Sequence, residues 1–402
     1  TTVDELETTV GTKADQTTVD ELETTKADQT TVDADAAALR ALADAMQTPV
    51  TIDSDGNLGW YTSIAIRDNG HPVISYFDFT NEALKVAACT NAGCTGTPTV
   101  TTVDSDGNVG RYTSIAIGNN GNPVISYIDW INTTLKVAAC TTTDCSGTPT
   151  VTTVDSDGNV GYDPSIAIGN NGNPVISYYD STNEALKVAA CTTTDCSGTS
   201  TVTTVDSDGD VGYDTSIAIG DNGYPVISYY DGTNDALKVA ACTAADCTGT
   251  PTITTVDSDG SVGSYTSIAI GDNGYPVISY LDFTNEALKV AACTAADCTG
   301  TPTITTVDSD GDVGRGTSIA ISNNGYPVIS YYDATNTALK VAACTIVDCT
   351  GTSTITTIDS EDWVGSSPSI AIGNNGNPVI SYSDFTNGAV KFVPMWSFVI
   401  PN

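Results

Sequence analysis

The sequence has few basic residues and a large excess of acidic ones. The chain contains only 13 Lys and Arg residues but 49 Asp and Glu residues, which gives a formal net charge of -36. Nucleic acids and anionic membrane surfaces are bound through basic patches, so this balance argues against both as partners. It is compatible with cations, basic surfaces and neutral sugars.

Long apolar runs are missing as well. No stretch approaches the roughly 18 apolar residues that a membrane-spanning helix needs, so we expect no membrane insertion. The sequence begins without an initiator Met or a signal peptide, which predicts a fragment or a processed product. Export of the protein therefore has to be inferred from other features of the sequence. With 40% hydrophobic residues in 402 positions, the chain can still bury a large core.

From about residue 48 to the end, one unit is written seven times with an unchanged spacing of 51 residues. Each unit holds four short runs rich in Ile, Val, Tyr and Thr, separated by turn residues, which is typical of β-strands. In the first unit these runs are 49–53, 63–66, 72–78 and 83–89. Four antiparallel strands at a period of about 40–50 residues predict one propeller blade.

The two ends of the chain predict how the ring closes. The seventh unit has strands at 369–372, 378–384 and near 389–396, but no fourth. The run 48–53 resembles the outer strands of the other units, so its pairing with the last blade would remove a free sheet edge. We therefore predict an all-β fold, a seven-bladed β-propeller with four-stranded blades over residues 48–402.

Residues 1–47 have a different, Thr-, Asp- and Glu-rich composition with heptad-like apolar spacing. A single helix of this kind would be marginal in water, so the segment must associate or stay disordered. The Thr-Lys-Ala-Asp phrases at 12–15 and 25–28 resemble the stalks of trimeric bacteriophage tail fibres. This resemblance implies a helical coiled-coil stalk and a homotrimer formed through residues 1–47. Another oligomer and a flexible leader are the alternatives.

The repeated motif S-I-A-I-x-x-N-G-x-P-V-I-S-Y-x-D resembles the propeller repeats of bacterial surface and secreted proteins. The resemblance implies the fold and is silent on activity. It also implies that alternate loops go to opposite faces of the ring. The Asp-Ser-Asp-Gly loops and the aspartates of the S-Y-x-D motifs would then crowd 21 acidic side chains, three from each unit, onto one rim.

The Asp-Ser-Asp-Gly loops are candidate calcium sites, because alternating carboxylates around a glycine turn supply hard oxygen ligands. The alternative is turn chemistry, in which the first Asp accepts backbone hydrogen bonds and the glycine supplies a positive φ. No cofactor other than calcium is expected. The lysine of each A-L-K motif, from Lys85 to Lys391, is expected to pair structurally with an Asp. The candidate calcium ligands are Asp53, Asp55, Asp104, Asp106, Asp155, Asp157, Asp206, Asp208, Asp257, Asp259, Asp308 and Asp310.

The twelve cysteines form six pairs with four residues between the partners, one pair in each of the first six units. Such regular local pairs predict disulfides and an oxidising, extracellular destination, with metal binding and free thiols as the alternatives. Each short loop would add about 2 kcal/mol of stability. The predicted pairs are Cys89 with Cys94, Cys140 with Cys145, Cys191 with Cys196, Cys242 with Cys247, Cys293 with Cys298, and Cys344 with Cys349.

The seven copies differ from each other mainly at two loop sites on the predicted acidic face. Aromatic rings beside carboxylates suit the recognition of a carbohydrate or a protein, and packing between blades is the alternative. The candidate ligand-binding residues are Trp60, Tyr61, Phe79, Arg111, Tyr112, Trp130, Tyr162, Tyr213, Tyr265, Phe283 and Arg315.

These features predict a binding protein and not an enzyme. A sialidase-type propeller would need an arginine cluster, whereas residues 48–402 hold only Arg67, Arg111 and Arg315, and no catalytic constellation stands apart from the repeated framework. We expect an extracellular adhesion or receptor-binding module of a phage or cell-surface appendage, which binds a host glycan or protein. The alternative is a purely structural subunit of a virion or filament.

Overall fold

The computed structural model of the protein describes residues 48–395. The predicted stalk over residues 1–47 lies outside the described residues, as do residues 396–402. From Pro49 onward the described residues belong to one structural unit, built of 28 strands in seven four-stranded sheets. The predicted seven-bladed propeller is confirmed. No helix suited to crossing a membrane occurs in this part of the chain.

Each blade is an antiparallel sheet whose first strand lies at the ring axis. The inner strands are β2 (Trp60–Ile66), β6 (Val109–Ile117), β10 (Val160–Ile168), β14 (Val211–Ile219), β18 (Val262–Ile270), β22 (Val313–Ile321) and β26 (Val364–Ile372). The second strands are β3 (Pro72–Asp78), β7 (Pro123–Asp129), β11 (Pro174–Asp180), β15 (Pro225–Asp231), β19 (Pro276–Asp282), β23 (Pro327–Asp333) and β27 (Pro378–Asp384).

The outer half of each sheet repeats in the same way, and blades are numbered 1 to 7 in chain order. The third strands are β4 (Ala83–Ala88), β8 (Thr134–Ala139), β12 (Ala185–Ala190), β16 (Ala236–Ala241), β20 (Ala287–Ala292), β24 (Ala338–Ala343) and β28 (Ala389–Pro394). The outermost strands are β5 (Thr99–Asp104), β9 (Thr150–Asp155), β13 (Thr201–Asp206), β17 (Thr252–Asp257), β21 (Thr303–Asp308) and β25 (Thr354–Asp359), with β1 (Val50–Asp53) in blade 7.

The ring closes by the predicted exchange of the terminal strands. Strand β1 pairs antiparallel with β28, and Val50 lies opposite Phe392. Blade 7 therefore has the order β1-β28-β27-β26, while each of the other blades uses four consecutive strands. This pairing occupies the outer edge of β28, which would otherwise remain open.

The hydrophobic core lies between the blades. Seven clusters of buried side chains each combine the second and third strands of one blade with the inner strands of its neighbour. Leu84 and Val109 are fully buried at the interface of blades 1 and 2, and burying a side chain of this size stabilises the fold by about 1.5–3 kcal/mol. The backbones approach closely here, because a Cβ added to Gly110 would lie 2.6 Å from the Cα of Leu84.

A buried ion pair joins every blade to its predecessor. In blade 3, Lys187 Nζ lies 3.1 Å from Asp155 Oδ2, at the end of the outermost strand of blade 2, and Tyr178 donates its hydroxyl to the same oxygen. The predicted structural role of the lysines is thus observed. The pairs are Lys85–Asp53, Lys136–Asp104, Lys187–Asp155, Lys238–Asp206, Lys289–Asp257, Lys340–Asp308 and Lys391–Asp359.

All six predicted disulfides are present, from Cys89–Cys94 to Cys344–Cys349, with Cα atoms 5.0–5.1 Å apart. Each links the end of a third strand to the loop that follows it, and the described residues hold no free cysteine. Six buried disulfides are the cysteine usage of an extracellular protein, which folds in an oxidising compartment.

The 21 predicted carboxylates lie on one face of the ring, but they do not form an exposed acidic rim. The first Asp of each loop is held by a lysine and a tyrosine, and the aspartate that ends each second strand is buried. Asp78, for example, accepts hydrogen bonds from the backbone and the side chain of Asn81. Only the middle carboxylate of each loop, such as Asp55, stays exposed.

Candidate functional site

One face of the ring carries the Asp-Ser-Asp-Gly loops and the loops that follow the second strands; we call it the DSDG face. Each Asp-Ser-Asp-Gly loop leads directly into an inner strand, so the start of that strand lies beside the axis on this face. A cavity of ≈ 210 Å³ is lined here by the same two positions of all seven blades. The first of these positions forms the channel-mouth ring: Tyr61, Tyr112, Asp163, Asp214, Tyr265, Gly316 and Ser367.

The backbone turns the side chains of this ring toward the channel. The ladder between the first and second strands is irregular here, for example between Tyr162 and Ser165, and all seven ring residues have a φ between 46° and 57°. For a residue with a side chain this left-handed region costs roughly 1–2 kcal/mol. The fold therefore holds Tyr61, Tyr112 and Tyr265 in a strained conformation, and strain of this kind concentrates at functional sites.

Two neighbouring carboxylates belong to the channel-mouth ring. Asp163 Oδ2 accepts a hydrogen bond from the backbone N–H of Asp214 at 3.4 Å, and Asp214 Oδ2 accepts one from Tyr265 at 2.8 Å. Burial, together with the charge of Asp214, raises the pKa of Asp163 to about 7, and burial also raises the pKa of Asp214. A carboxyl group of this kind can donate or accept a proton near neutral pH.

A larger aromatic cleft opens beside the channel mouth. It has a volume of ≈ 560 Å³ and joins blades 5, 6, 7 and 1. Its aromatic walls are Trp60, Tyr61, Tyr265, Tyr332, Trp363 and Phe385, and Asn57, Arg315 and Ser366 supply polar groups. Trp363 and Tyr265 are 54% and 42% exposed, so their rings are accessible to a ligand.

The aromatic walls continue around the face as a band of touching rings. The Trp60 ring lies 4.6 Å from that of Phe385, the Tyr61 ring 4.2 Å from that of Tyr112, and the Trp130 ring 5.8 Å from that of Tyr162. The band reaches blade 4 through Tyr179, Tyr213 and Tyr230. Part of this aromatic surface thus packs between blades, as the alternative interpretation predicted, and part stays exposed.

A recurring side-chain contact fixes the first variable position in four blades. A residue near the start of the inner strand, either its first or its third residue, donates to an acceptor three positions earlier. Trp60 Nε1 donates to Asn57 at 3.2 Å, and Arg111 Nε to Asn108 at 3.0 Å. Tyr213 donates to Asp210 at 2.9 Å, and Arg315 Nε to Asp312 at 3.0 Å. We call these two positions the loop pair.

The structure brings most of the candidate ligand-binding residues together on the DSDG face. Trp60, Tyr61, Tyr265 and Arg315 line the aromatic cleft, and Tyr112 joins the channel-mouth ring. Phe79 and Trp130 surround the guanidinium of Arg111, Phe283 lies beside Arg315, and Tyr162 and Tyr213 belong to the aromatic band. Whether they bind a ligand stays a prediction.

The Asp-Ser-Asp-Gly loops show the turn chemistry that was the alternative to calcium binding. Asp53 Oδ1 accepts the backbone N–H of Asp55 at 3.1 Å, and Lys85 and Tyr76 occupy its other oxygen. Among residues 48–395, no group of three or more His, Cys, Asp or Glu side chains is arranged to hold a metal. The structure therefore gives the calcium prediction no support.

Sequence reasoning did not select Asp163 and Asp214 as site residues. It also left out Trp363, Tyr332 and Phe385, although the last two stand at positions that vary between the copies. The signal for the carboxylate pair was available, because five copies have Tyr, Gly or Ser at a position where copies 3 and 4 have Asp. Their proximity depends on the ring geometry.

No protein-family model and no curated protein matches the sequence. Solved propeller structures do match. An ulvan lyase, a polysaccharide lyase bound to a saccharide, aligns with a TM-score of 0.58 at 10% identity, over 88% of this chain and 98% of that one. A protein of unknown function from Dyadobacter fermentans aligns at 0.53 and 14% identity, over 71% and 93%. An α-L-arabinofuranosidase from Fusarium graminearum aligns at 0.49 and 11% identity, over 87% and 98%.

The prediction that the protein is not an enzyme is wrong as it was argued. The solved structures similar to this chain include a carbohydrate-active enzyme, the ulvan lyase. Regular repetition of the framework does not exclude catalysis, because the ulvan lyase combines a similar fold with an enzymatic activity. At 10% identity this likeness shows only the fold of the chain, a β-propeller.

Proposed function

We propose that this protein is an extracellular propeller that binds carbohydrate in the aromatic cleft of its DSDG face. The observation that carries the proposal is the cleft itself, which combines a volume of ≈ 560 Å³ with exposed aromatic walls and few polar groups. Ligand sites have this composition, because the rings supply contact area and the polar groups fix orientation. Its finer role would be adhesion to a host glycan, as part of a phage or cell-surface appendage.

The first experiment is a glycan array with the intact protein, followed by titration of the ligands it finds. Trp363→Ala removes the most exposed ring of the cleft and should weaken binding about 30-fold, since a central aromatic contributes about 2 kcal/mol. Tyr275→Ala is the matched control, because Tyr275 is also exposed but follows a hairpin on the opposite face. Equal losses in the two variants, or the absence of any glycan ligand, would contradict the proposal.

The display of the propeller on an oligomer is a separate part of the proposal. It is supported by the acidic, heptad-like phrases of residues 1–47, which suit a trimeric stalk. Light scattering on the full chain and on a chain that starts at residue 48 tests it. A trimer that becomes a monomer on truncation is expected, and a monomeric full chain would contradict it.

A second candidate function is cleavage of the bound carbohydrate, favoured by Asp163 and Asp214. Two carboxylates at a channel mouth, one of them with a pKa of about 7, are the groups that acid–base cleavage of a glycosidic linkage requires. Incubation with a panel of polysaccharides, read as new reducing ends, tests this candidate. Asp163→Asn should abolish product formation, whereas undiminished products in that variant would place the chemistry elsewhere.

A further inference from the structure

Almost every positive charge in the described residues is already neutralised or enclosed. The seven lysines of the blades pair with aspartates, and Arg315 Nη2 lies 2.8 Å from Asp312 Oδ2. Arg67 is buried and donates to three backbone carbonyls, those of His71, Thr143 and Cys89. Arg111 differs from the lysines and from Arg315, since no carboxylate within residues 48–395 lies within 4.0 Å of its guanidinium, and from Arg67, since it is half-exposed.

Arg111 is nevertheless held in place. Its Nε donates to Asn108 Oδ1 at 3.0 Å. Its guanidinium carbon lies 4.7 Å from the ring centre of Trp130, 5.0 Å from that of Phe77 and 5.8 Å from that of Phe79. The terminal Nη groups have no hydrogen-bond partner in the described part of the chain. The arginine is thus oriented by its neighbours while its outer donors stay available.

The same loop pair occurs in blade 6, where a carboxylate neutralises the charge of the arginine. Arg315 occupies the position of Arg111, but Asp312 replaces Asn108 and binds the guanidinium through both carboxylate oxygens. Only one ring, that of Phe283 at 5.8 Å, lies beside Arg315. Asn108 thus leaves the Nη donors of Arg111 unpaired, whereas Asp312 occupies one of those of Arg315.

From this contrast we infer that Arg111 is a binding subsite for the carboxylate of an acidic sugar, of the uronic acid class. Two free Nη groups on a planar guanidinium match the two oxygens of a carboxylate. Trp130 and Phe79, which are 39% and 46% exposed, offer faces against which the sugar ring can stack. The inference rests on the proposed carbohydrate binding and names the sugar class for it.

The negative net charge of the protein favours binding of an acidic sugar at Arg111 over non-specific binding elsewhere on the surface. At -36 the chain repels polyanions at long range, so an acidic polysaccharide gains little from non-specific attraction. Attraction is confined to the few ångströms around Arg111.

The test compares a uronic acid oligosaccharide with the same oligosaccharide after reduction of its carboxyl groups to alcohols. Titration of the wild-type protein should give at least tenfold tighter binding of the acidic form. Arg111→Gln and Asn108→Asp should each abolish that preference, so that the acidic and the reduced forms bind with equal affinity. The second variant reproduces the Asp and Arg arrangement of blade 6, so it is expected to fold.

Asn159→Asp is the matched control, since it adds the same charge at the same loop position in blade 3, where Tyr162 replaces the arginine. It should keep the preference for the acidic sugar. A preference that survives in Arg111→Gln overturns the inference, as does a wild-type protein that binds both forms equally or prefers only a sulfated sugar. In those cases binding of the reduced form still upholds the proposed function. If the wild-type protein binds neither form, the inference fails, and the glycan array decides the proposed function separately.

Discussion

Two sets of polar side-chain contacts recur around the ring, and they differ in burial and in how much their residues vary. The interblade ion pairs, such as Lys136 with Asp104, are buried, and the same two residue types recur at all seven junctions. The loop pairs, such as Asp312 with Arg315, lie half-exposed on the DSDG face and change from blade to blade. The residues that recur unchanged in every blade therefore hold neighbouring blades together. The residues that vary between blades are the ones we expect to contact a ligand.

The largest effect should come from breaking one interblade ion pair. Asp104→Ala leaves Lys136 buried without a carboxylate partner and Tyr127 without its acceptor, so we expect a loss of about 3–5 kcal/mol in the free energy of unfolding. Denaturant unfolding measures it. Asp106→Ala, in the same loop but exposed, should change stability by less than about 0.5 kcal/mol.

Asp155→Ala sharpens this comparison, because Lys187 retains a second partner, Asp180, at 3.1 Å. Its loss should be clearly smaller than that of Asp104→Ala. Equal losses for the two variants would show that the lysine charge is not what the aspartate neutralises.

A smaller effect is expected from the disulfides. Replacing Cys191 and Cys196 by Ser should lower the free energy of unfolding by about 2 kcal/mol, since the bridge closes only a short loop. The variant should keep the fold and the binding properties of the DSDG face, which lies at the other end of the strands. Thermal unfolding and glycan titration check these points, and loss of binding without loss of stability would contradict them.

A further comparison concerns two aspartates with opposite pKa shifts. Burial and the charge of Asp214 raise the pKa of Asp163 from its ordinary 3.8 to about 7. The folded state therefore holds this proton more tightly than the unfolded chain, and stability falls as the pH rises from about 4 to about 7. Burial would also raise the pKa of Asp180, but hydrogen bonds from Asn183 and Lys187 leave it lowered, so its contribution is lost only below about pH 4.

Asp163→Asn separates the two pH windows. The melting temperature of this variant, relative to that of the wild-type protein, should rise between pH 4 and pH 7 and stay level above pH 8. Asp163→Ala serves as a second variant that also removes the charge. A difference that is constant from pH 4 to pH 8 would show that Asp163 titrates normally.

The fold could be predicted because it depends on local and repeated signals. The spacing of the aspartates, the Asn-Gly turns and the strand-like run at 49–53 were enough to predict seven blades and the closing strand. The site was predicted less completely. Asp163 and Asp214 are 51 residues apart and become neighbours only because adjacent inner strands meet at the axis. The pairing of Lys187 with an aspartate of the preceding blade likewise depends on the ring.

The closing strand has a consequence for how the molecule is made. Because β1 is synthesised first and its partner β28 last, the N-terminal strand must wait until the whole chain has emerged. During that interval β1 presents backbone groups that the β28 of a second, completed copy satisfies equally well. Crowded export would thus produce exchanged, interlinked rings, and dilution during refolding would favour the self-closed form.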